Sequence, residues 1–264
     1  PPMKVRQPLA MTGGEDAETL AAAERRIPAS LRHRERAVTA GDYRTLAQQA
    51  PGVDVGRVEV LPRFKPRDRR RDVPGVVSVL ALPAAPLGPA PNPRPDRPFI
   101  ERMHAYLAAR TPLATELYVI GCEYVPLGVS VGVRVREGFA RDRVLYEVRE
   151  AIRRLLWPLP PGGAIQEGWA LGRPVRAREL EVDVSRVAGV LEVRGPNLFE
   201  RVEDQWRQIP PSGVDGTQAL CLRKWQLPEL LSVVVVGGTD VNMEAPADLS
   251  AAPNPFAQAN AVAV

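Results

Sequence analysis

Hydrophobic and polar residues alternate along several stretches of the chain. The clearest stretch is 127–136, in which every second residue is Leu or Val and the residues between them are Gly, Ser or Arg. Because successive side chains of a strand point to opposite faces, this pattern predicts a β-strand with one buried and one exposed face. Ser130, Arg134 and Arg136 would lie on the exposed face. Shorter apolar runs predict strands within 53–64 and at 76–82, 117–122, 189–194 and 230–236.

A period near 3.6 residues predicts the helices. The strongest pattern covers 141–157, where one continuous apolar stripe runs from Val144 to Leu156. Weaker patterns predict helices at 15–26, 41–49, 99–109 and 177–187. The first of these should end before Pro28, since the residue before a proline disfavours helical geometry.

The helix at 41–49 has a start signal of its own. Thr39 and Asp42 have the spacing of a capping box, in which each side chain accepts a hydrogen bond from the backbone of the other residue. We therefore expect an ordered helix start here, with Tyr43, Leu46 and Ala47 buried behind it.

The order of these elements predicts an α+β fold. We expect an N-terminal extended and helical segment (1–50), followed by two small α+β sheet domains (51–122 and 123–238) and an extended C-terminal tail (239–264). Seven prolines between Pro83 and Pro98 predict a stiff loop or Pro-rich linker at 83–98. The tail is rich in Ala, Pro and Asn, which is typical of a flexible segment or one ordered by a partner.

Composition is ordinary for a folded protein of 264 residues, with 45% hydrophobic and 25% charged residues. The net charge of +4 is unevenly spread: up to Arg110 there are 19 basic against 12 acidic residues, and beyond it 16 against 19. Only three basic residues are lysines. Arginine is favoured in protein interfaces and on phosphates, although a GC-rich genome also enriches it.

The cysteines and the length of the apolar runs indicate the cellular compartment in which the protein is made. Cys122 and Cys221 form no paired motif, which disfavours a disulfide framework or a zinc site and favours synthesis in a reducing cytoplasm. We expect no transmembrane segment, because the apolar run near 230–236 is too short to span a bilayer. The opening Pro-Pro-Met suggests a piece of a longer polypeptide.

No catalytic, cofactor-binding or metal-binding motif stands out. The pattern GVSVG at 128–132 matches the nucleophile elbow of hydrolases, but Ser130 lies within a predicted strand and both histidines, His33 and His104, precede it. Neither histidine has the spacing of a metal ligand pair, and no phosphate-binding glycine motif is present. We therefore expect no enzyme activity and no small-molecule substrate.

The arginine-rich loop at 63–71 allows two interpretations. Lys65, Arg67, Arg69, Arg70 and Arg71 could bind nucleic acid, but that function also needs aromatic side chains for stacking, and only Phe64 is nearby. Acidic residues interrupt the run. A solvated loop tip or a protein contact through arginine is the better interpretation, and nucleic acid is not an expected partner.

Several separated motifs resemble the baseplate J-like family, the wedge proteins of contractile phage tails and phage-like contractile injection systems. The resemblance is carried by "RAVTAGDY" at 36–43, "PGVV" at 74–77, "YVIGCEYVPLGVSVGVRVREGF" at 118–139, the "LLWPL…GG…GWALGRPV" loop at 155–175 and "VAGVLEV" at 187–193. It extends over about 8–236 in the family's order. One departure is Cys122-Glu123, where the family would have Pro-Glu.

The resemblance implies a structural wedge subunit, not a catalyst. Such subunits form a ring, usually six-fold, around a central hub and spike, contact other wedge and sheath-initiating proteins, and rearrange when the sheath contracts around its tube. Phages, tailocins and host-deployed injection systems could share such a subunit.

A ring subunit must present surfaces to several neighbours. The side chains that we expect at protein interfaces are Arg32, Arg34, Arg36, Asp42, Tyr43, Arg69, Arg70, Arg71, Arg134 and Arg136. The first three arginines would pair with carboxylates on a neighbour or within the subunit. Alternatively, Arg36 and Asp42 only brace the local helix start.

Overall fold

A computed structural model describes residues 17–203, 205–211 and 216–238 and confirms the α+β class. The helices are α1 (Leu20–His33), α2 (Ala40–Gln48), α3 (Arg97–Ala108), α4 (Arg141–Leu156) and α5 (Ala177–Ser185). The strands are β1 (Val55–Pro62), β2 (Val76–Pro83), β3 (Glu116–Ile120), β4 (Glu123–Val135), β5 (Val175–Arg176), β6 (Val190–Val202), β7 (Gln205–Gln208), β8 (Ala219–Leu220) and β9 (Gln226–Gly237). The predicted tail at 239–264 lies outside the described residues.

The first sheet has the order β1-β2-β3. β1 and β2 pair antiparallel, and β3 pairs parallel to β2 after a crossover through α3. Helices α2 and α3 cover this sheet, because their apolar stripes bury Tyr43, Leu46, Met103 and Leu107 against it. These buried side chains form the smaller of two hydrophobic cores.

The second sheet has the order β7-β6-β4-β9. Its central strand β4 is antiparallel to β6 and parallel to β9. Helices α4 and α5 pack on the face that carries the alternating Leu and Val residues of β4, and their buried stripes complete the larger core. β5 and β8 form a separate two-stranded ribbon.

Strand β2 contributes to both cores. Val79 and Ala81 belong to the smaller core, whereas Leu80 and Leu82 belong to the larger one. Alternate residues of one strand therefore pack into two different cores, which couples the sheets through a shared element. The domain boundary near residue 122 stays a prediction.

The Pro-rich stretch forms neither helix nor strand between 84 and 96, but it is docked against the second sheet. The backbone N–H of Asn92 donates to Glu229 at 2.9 Å, and the Asn92 side chain donates to the carbonyl of Pro228 at 3.1 Å. The Tyr124 hydroxyl donates to the carbonyl of Pro93 at 2.9 Å. This part of the stretch is therefore anchored, not a free spacer.

Two local predictions are wrong. Helix α1 does not end before Pro28 but continues to His33, where the backbone N–H of Arg34 closes the last turn on Ser30. Strand β4 is not open on its second face, since Ser130 is only 4% exposed. Ser130 lies on an inner strand of the sheet, opposite Asn197 of β6 on one side and Val234 of β9 on the other.

Candidate assembly surfaces

The end of α1 and the link to α2 present three exposed arginines, which form the arginine cluster of the α1–α2 link: Arg32 in the last turn of α1, and Arg34 and Arg36 in the link. Among the described residues, no carboxylate forms an ion pair with any of them. The only acidic residue within this cluster, Glu35, instead pairs with Arg110 at 3.0 Å. The described carboxylates therefore leave all three guanidinium groups without an ion pair.

The backbone of this link is fixed to the segment that directly follows helix α3. The N–H of Ala37 donates to the carbonyl of Arg110 at 2.9 Å, and Ala37 is fully buried. The Arg110 guanidinium lies 3.7 Å from the ring centre of Tyr106. The arginine cluster is therefore displayed from an ordered support.

Asp42 and Tyr43, by contrast, act inside the chain. The predicted capping box is confirmed: the Asp42 carboxylate accepts from the N–H of Thr39 at 2.7 Å, and the Thr39 hydroxyl accepts from the N–H of Asp42 at 3.2 Å. Burial raises the pKa of Asp42, but the hydrogen bonds from Thr39 and Val38 outweigh burial and hold that pKa below its ordinary value. Tyr43 is 2% exposed, and burial raises the pKa of its hydroxyl.

The arginine-rich loop folds back onto the second sheet. Arg69 pairs with Glu123 at 3.3 Å, and Arg71 lies 5.3 Å from the ring centre of Trp225. Trp225 stacks on Phe64 with ring centres 4.9 Å apart, and its indole N–H donates to Glu123 at 3.1 Å. Arg70 forms a backbone bridge with Lys65 across the loop.

This geometry disfavours the nucleic-acid interpretation. Bases stack on accessible aromatic faces, whereas Phe64 and Trp225 stack on each other and are only 6% and 8% exposed. Three of the loop's arginines, Arg63, Arg69 and Arg71, already have partners within the chain. Sequence patterns could not show this, because Trp225 is distant from the loop in the chain.

The arginines of β4 lie at the far end of that strand. Arg134 pairs with Glu192 of β6 at 3.3 Å, and Glu192 also accepts from Arg194 at 3.0 Å. Arg136 is exposed just beyond the strand. The predicted interface arginines therefore occupy three separate places: the end of α1 with the link that follows it, the β1–β2 loop and the end of β4.

The described residues hold no evident catalytic arrangement. Ser130 is buried within β4, while His33 is buried at the end of α1 and His104 is exposed on α3. Burial raises the pKa of the Cys122 thiol, so that thiol is held in its neutral form. In the described part of the chain, no group of three or more His, Cys, Asp or Glu side chains is placed to hold a metal ion. Nor is any described helix both long enough and apolar enough to cross a membrane.

Comparison with known proteins gives one informative result. No protein-family profile matches the sequence. No curated protein matches it either. Among solved structures, the chain is similar to a chain in the cryo-EM structure of the anti-feeding prophage baseplate, six-fold symmetrised, with a TM-score of 0.53 and 20% identity. The similarity covers 83% of this chain but only 43% of that chain, so this chain spans less than half of its neighbour's length. At this identity the comparison shows a shared fold.

Proposed function

We propose that this chain is a structural wedge subunit in the baseplate of a contractile injection system or phage-like tail. The observation that carries the proposal is the fold shared with a chain of a six-fold symmetrised baseplate over 83% of this chain. The order of sequence motifs resembling the baseplate J-like family supports it independently. No step of this function needs a catalytic site.

The proposed partners are other wedge subunits, the central hub and spike, and the proteins that initiate the sheath. The subunits would be made in the cytoplasm and built into a ring of six-fold symmetry in the particle. Each subunit of such a ring contacts its neighbours through different surfaces. Three separate groups of arginines, supported by two coupled sheets, suit that requirement.

The arginine cluster of the α1–α2 link is the interface that we propose first. Arg32, Arg34 and Arg36 would pair with carboxylates of a neighbouring subunit. Exposed ion pairs contribute only about 0–1 kcal/mol each, so they would set the orientation of the subunits more than the strength of the assembly. A baseplate that must rearrange when triggered benefits from such separable contacts.

Replacing Arg34 and Arg36 with alanine tests this interface. We expect the double variant to fold normally, because both side chains are exposed, but to lose ring assembly when particles are examined by electron microscopy. A matched control replaces Arg97 and Arg178, whose side chains are 68% and 73% exposed at other sites. Normal assembly of the Arg34 and Arg36 double variant would contradict the interface.

A further inference from the structure

Helix α1 carries three large apolar side chains that the described part of the chain leaves exposed. Leu20 is 76% exposed, Ile27 46% and Leu31 69%. At about 100° per residue, these positions fall within roughly 40° of one another around the helix. Isolated exposed apolar residues are normal on a protein surface, but an aligned stripe of three is typical of a surface that another helix covers.

The helix is attached mainly through its C-terminal end. His33 at its last position is 5% exposed, and the following Ala37 is fully buried. The apolar stripe therefore continues outward from an anchored end. Val38, which follows the helix, is also 67% exposed.

The charge next to the stripe is strongly positive. Arg32, Arg34 and Arg36 follow directly after Leu31 and have no ion pair with a carboxylate among the residues that the structure describes. Of the nearby acidic side chains, Glu35 pairs with Arg110 and Asp42 caps α2, whereas Glu24 is exposed on α1 itself, at the edge of the stripe. An apolar stripe beside three uncompensated cations is thus complementary to an apolar surface flanked by carboxylates.

We infer that α1 is a docking helix for an amphipathic helix of a different baseplate protein, whose apolar stripe is flanked by Asp or Glu residues. The inference rests on the proposed function and adds the chemistry of one partner. The apolar side chains would pack in the ridges-into-grooves manner of helix pairs. The arginines would fix the orientation of the incoming helix.

A second copy of this chain fits the same surface less well. Two copies of α1 side by side in parallel would place their arginine clusters against each other. In antiparallel pairing, Glu18 would face the cluster, but Glu18 already pairs with Arg26 at 2.8 Å within its own chain. Moreover, contact through identical surfaces is a two-fold arrangement, whereas copies in a cyclic ring meet through different surfaces.

The stripe is small compared with the roughly 1,200 Å² that stable pairwise interfaces bury. Docking through α1 alone should therefore be weak, and it gains effective strength from the other contacts of the assembly. Because this docking is weak in isolation, it is tested on assembled particles that contain the full chain.

A photo-reactive benzoylphenylalanine at position 31 identifies what covers the stripe. After irradiation of purified particles, we expect cross-links to an amphipathic helix with acidic flanks in another particle protein. The same probe at Leu113, a fully exposed side chain elsewhere, serves as the control and should not reach that helix. Cross-links to a second copy of this chain, to a basic or non-helical surface, or to nothing would overturn the inference.

A triple variant provides an independent test. Leu20→Gln, Ile27→Gln and Leu31→Gln should leave the circular dichroism spectrum and melting temperature unchanged, because exposed side chains contribute little to folding. Incorporation into particles should fall at least about tenfold, the effect of losing 1.4 kcal/mol. The control carries Leu113→Gln, Leu191→Gln and Val202→Gln, which are exposed apolar residues at other sites.

The outcomes separate the two proposals. If the wild-type chain is absent from particles, the proposed function itself fails. If the wild type is present and the folded triple variant is incorporated equally well, only the docking role of α1 is wrong.

Discussion

The guanidinium of Arg94 and the carboxylate of Glu229 form a two-point ion pair, with both N–O distances at 2.8 Å. The two residues are 135 positions apart in the chain. The Glu229 side chain is 5% exposed and also accepts the N–H of Asn92. This pair fixes the Pro-rich stretch, which lies between β2 and α3 of the first sheet's crossover, to strand β9 of the second sheet.

Removing the charge of Glu229 should therefore destabilise the protein. Glu229→Gln leaves the Arg94 guanidinium partly buried without its counter-ion, at an expected loss of about 2–4 kcal/mol in the free energy of unfolding. The matched control Glu101→Gln removes the exposed pair with Arg97 and should lose less than about 0.5 kcal/mol. Urea denaturation measures both, and equal losses would contradict the anchoring role of Glu229.

Trp225 should be a second residue that stabilises the contact between the two sheets. Trp225→Ala removes the stack with Phe64, the contact with Arg71 and the hydrogen bond to Glu123. We expect a loss of about 3–5 kcal/mol, since a buried tryptophan leaves a large cavity. Trp206→Ala, at a half-buried site in β7, should lose clearly less in the same denaturation experiment.

Two glycines with the same φ but different surroundings distinguish backbone strain from steric clash. Gly138 and Gly168 both have φ near +87°, but a Cβ at Gly138 would meet nothing within 4 Å, whereas one at Gly168 would lie 2.2 Å from the carbonyl oxygen of Pro158. Gly138→Ala should cost about 1–2 kcal/mol through left-handed geometry alone. Gly168→Ala should cost about 3 kcal/mol or more, because backbone atoms must move. Similar unfolding free energies for the two variants would contradict the close packing of Gly168 against Pro158.

Asp42 should make stability depend on acid pH. Its pKa is lower in the folded than in the unfolded chain, so the stability that it contributes is fully present above the unfolded value near 4 and is lost as pH falls through the folded value. Asp42→Asn removes this contribution. The difference in the free energy of unfolding between wild type and variant, measured by urea denaturation at each pH, should be constant above about pH 5 and should shrink below pH 4. A gap that does not change with pH would contradict the low pKa.

The local features of the fold were predictable because their causes lie within a few residues. Thr39 and Asp42 form their capping box with each other, and the helix that they start buries Tyr43 as expected. The stripe of α4 likewise follows from periodicity alone. In each case the residues that form the sequence pattern are the same residues that make the contacts.

Features that depend on distant partners could not be predicted. The anchoring of Arg94 and the covering of Trp225 each need a residue more than a hundred positions away or on another sheet. The stripe on α1 is hidden from sequence patterns for a different reason. Pro28 predicts an early helix end, which separates Ile27 and Leu31 from the helix, although their spacing from Leu20 fits one helical face.

Electron microscopy of particles purified from the native host through a tag on this chain tests the central claim most directly. The proposed function predicts sheathed tubes that carry a baseplate at one end, with the tagged chain located in that baseplate. Recovery of the chain as a free monomer, with no particle, while its gene cluster is expressed would contradict the assignment.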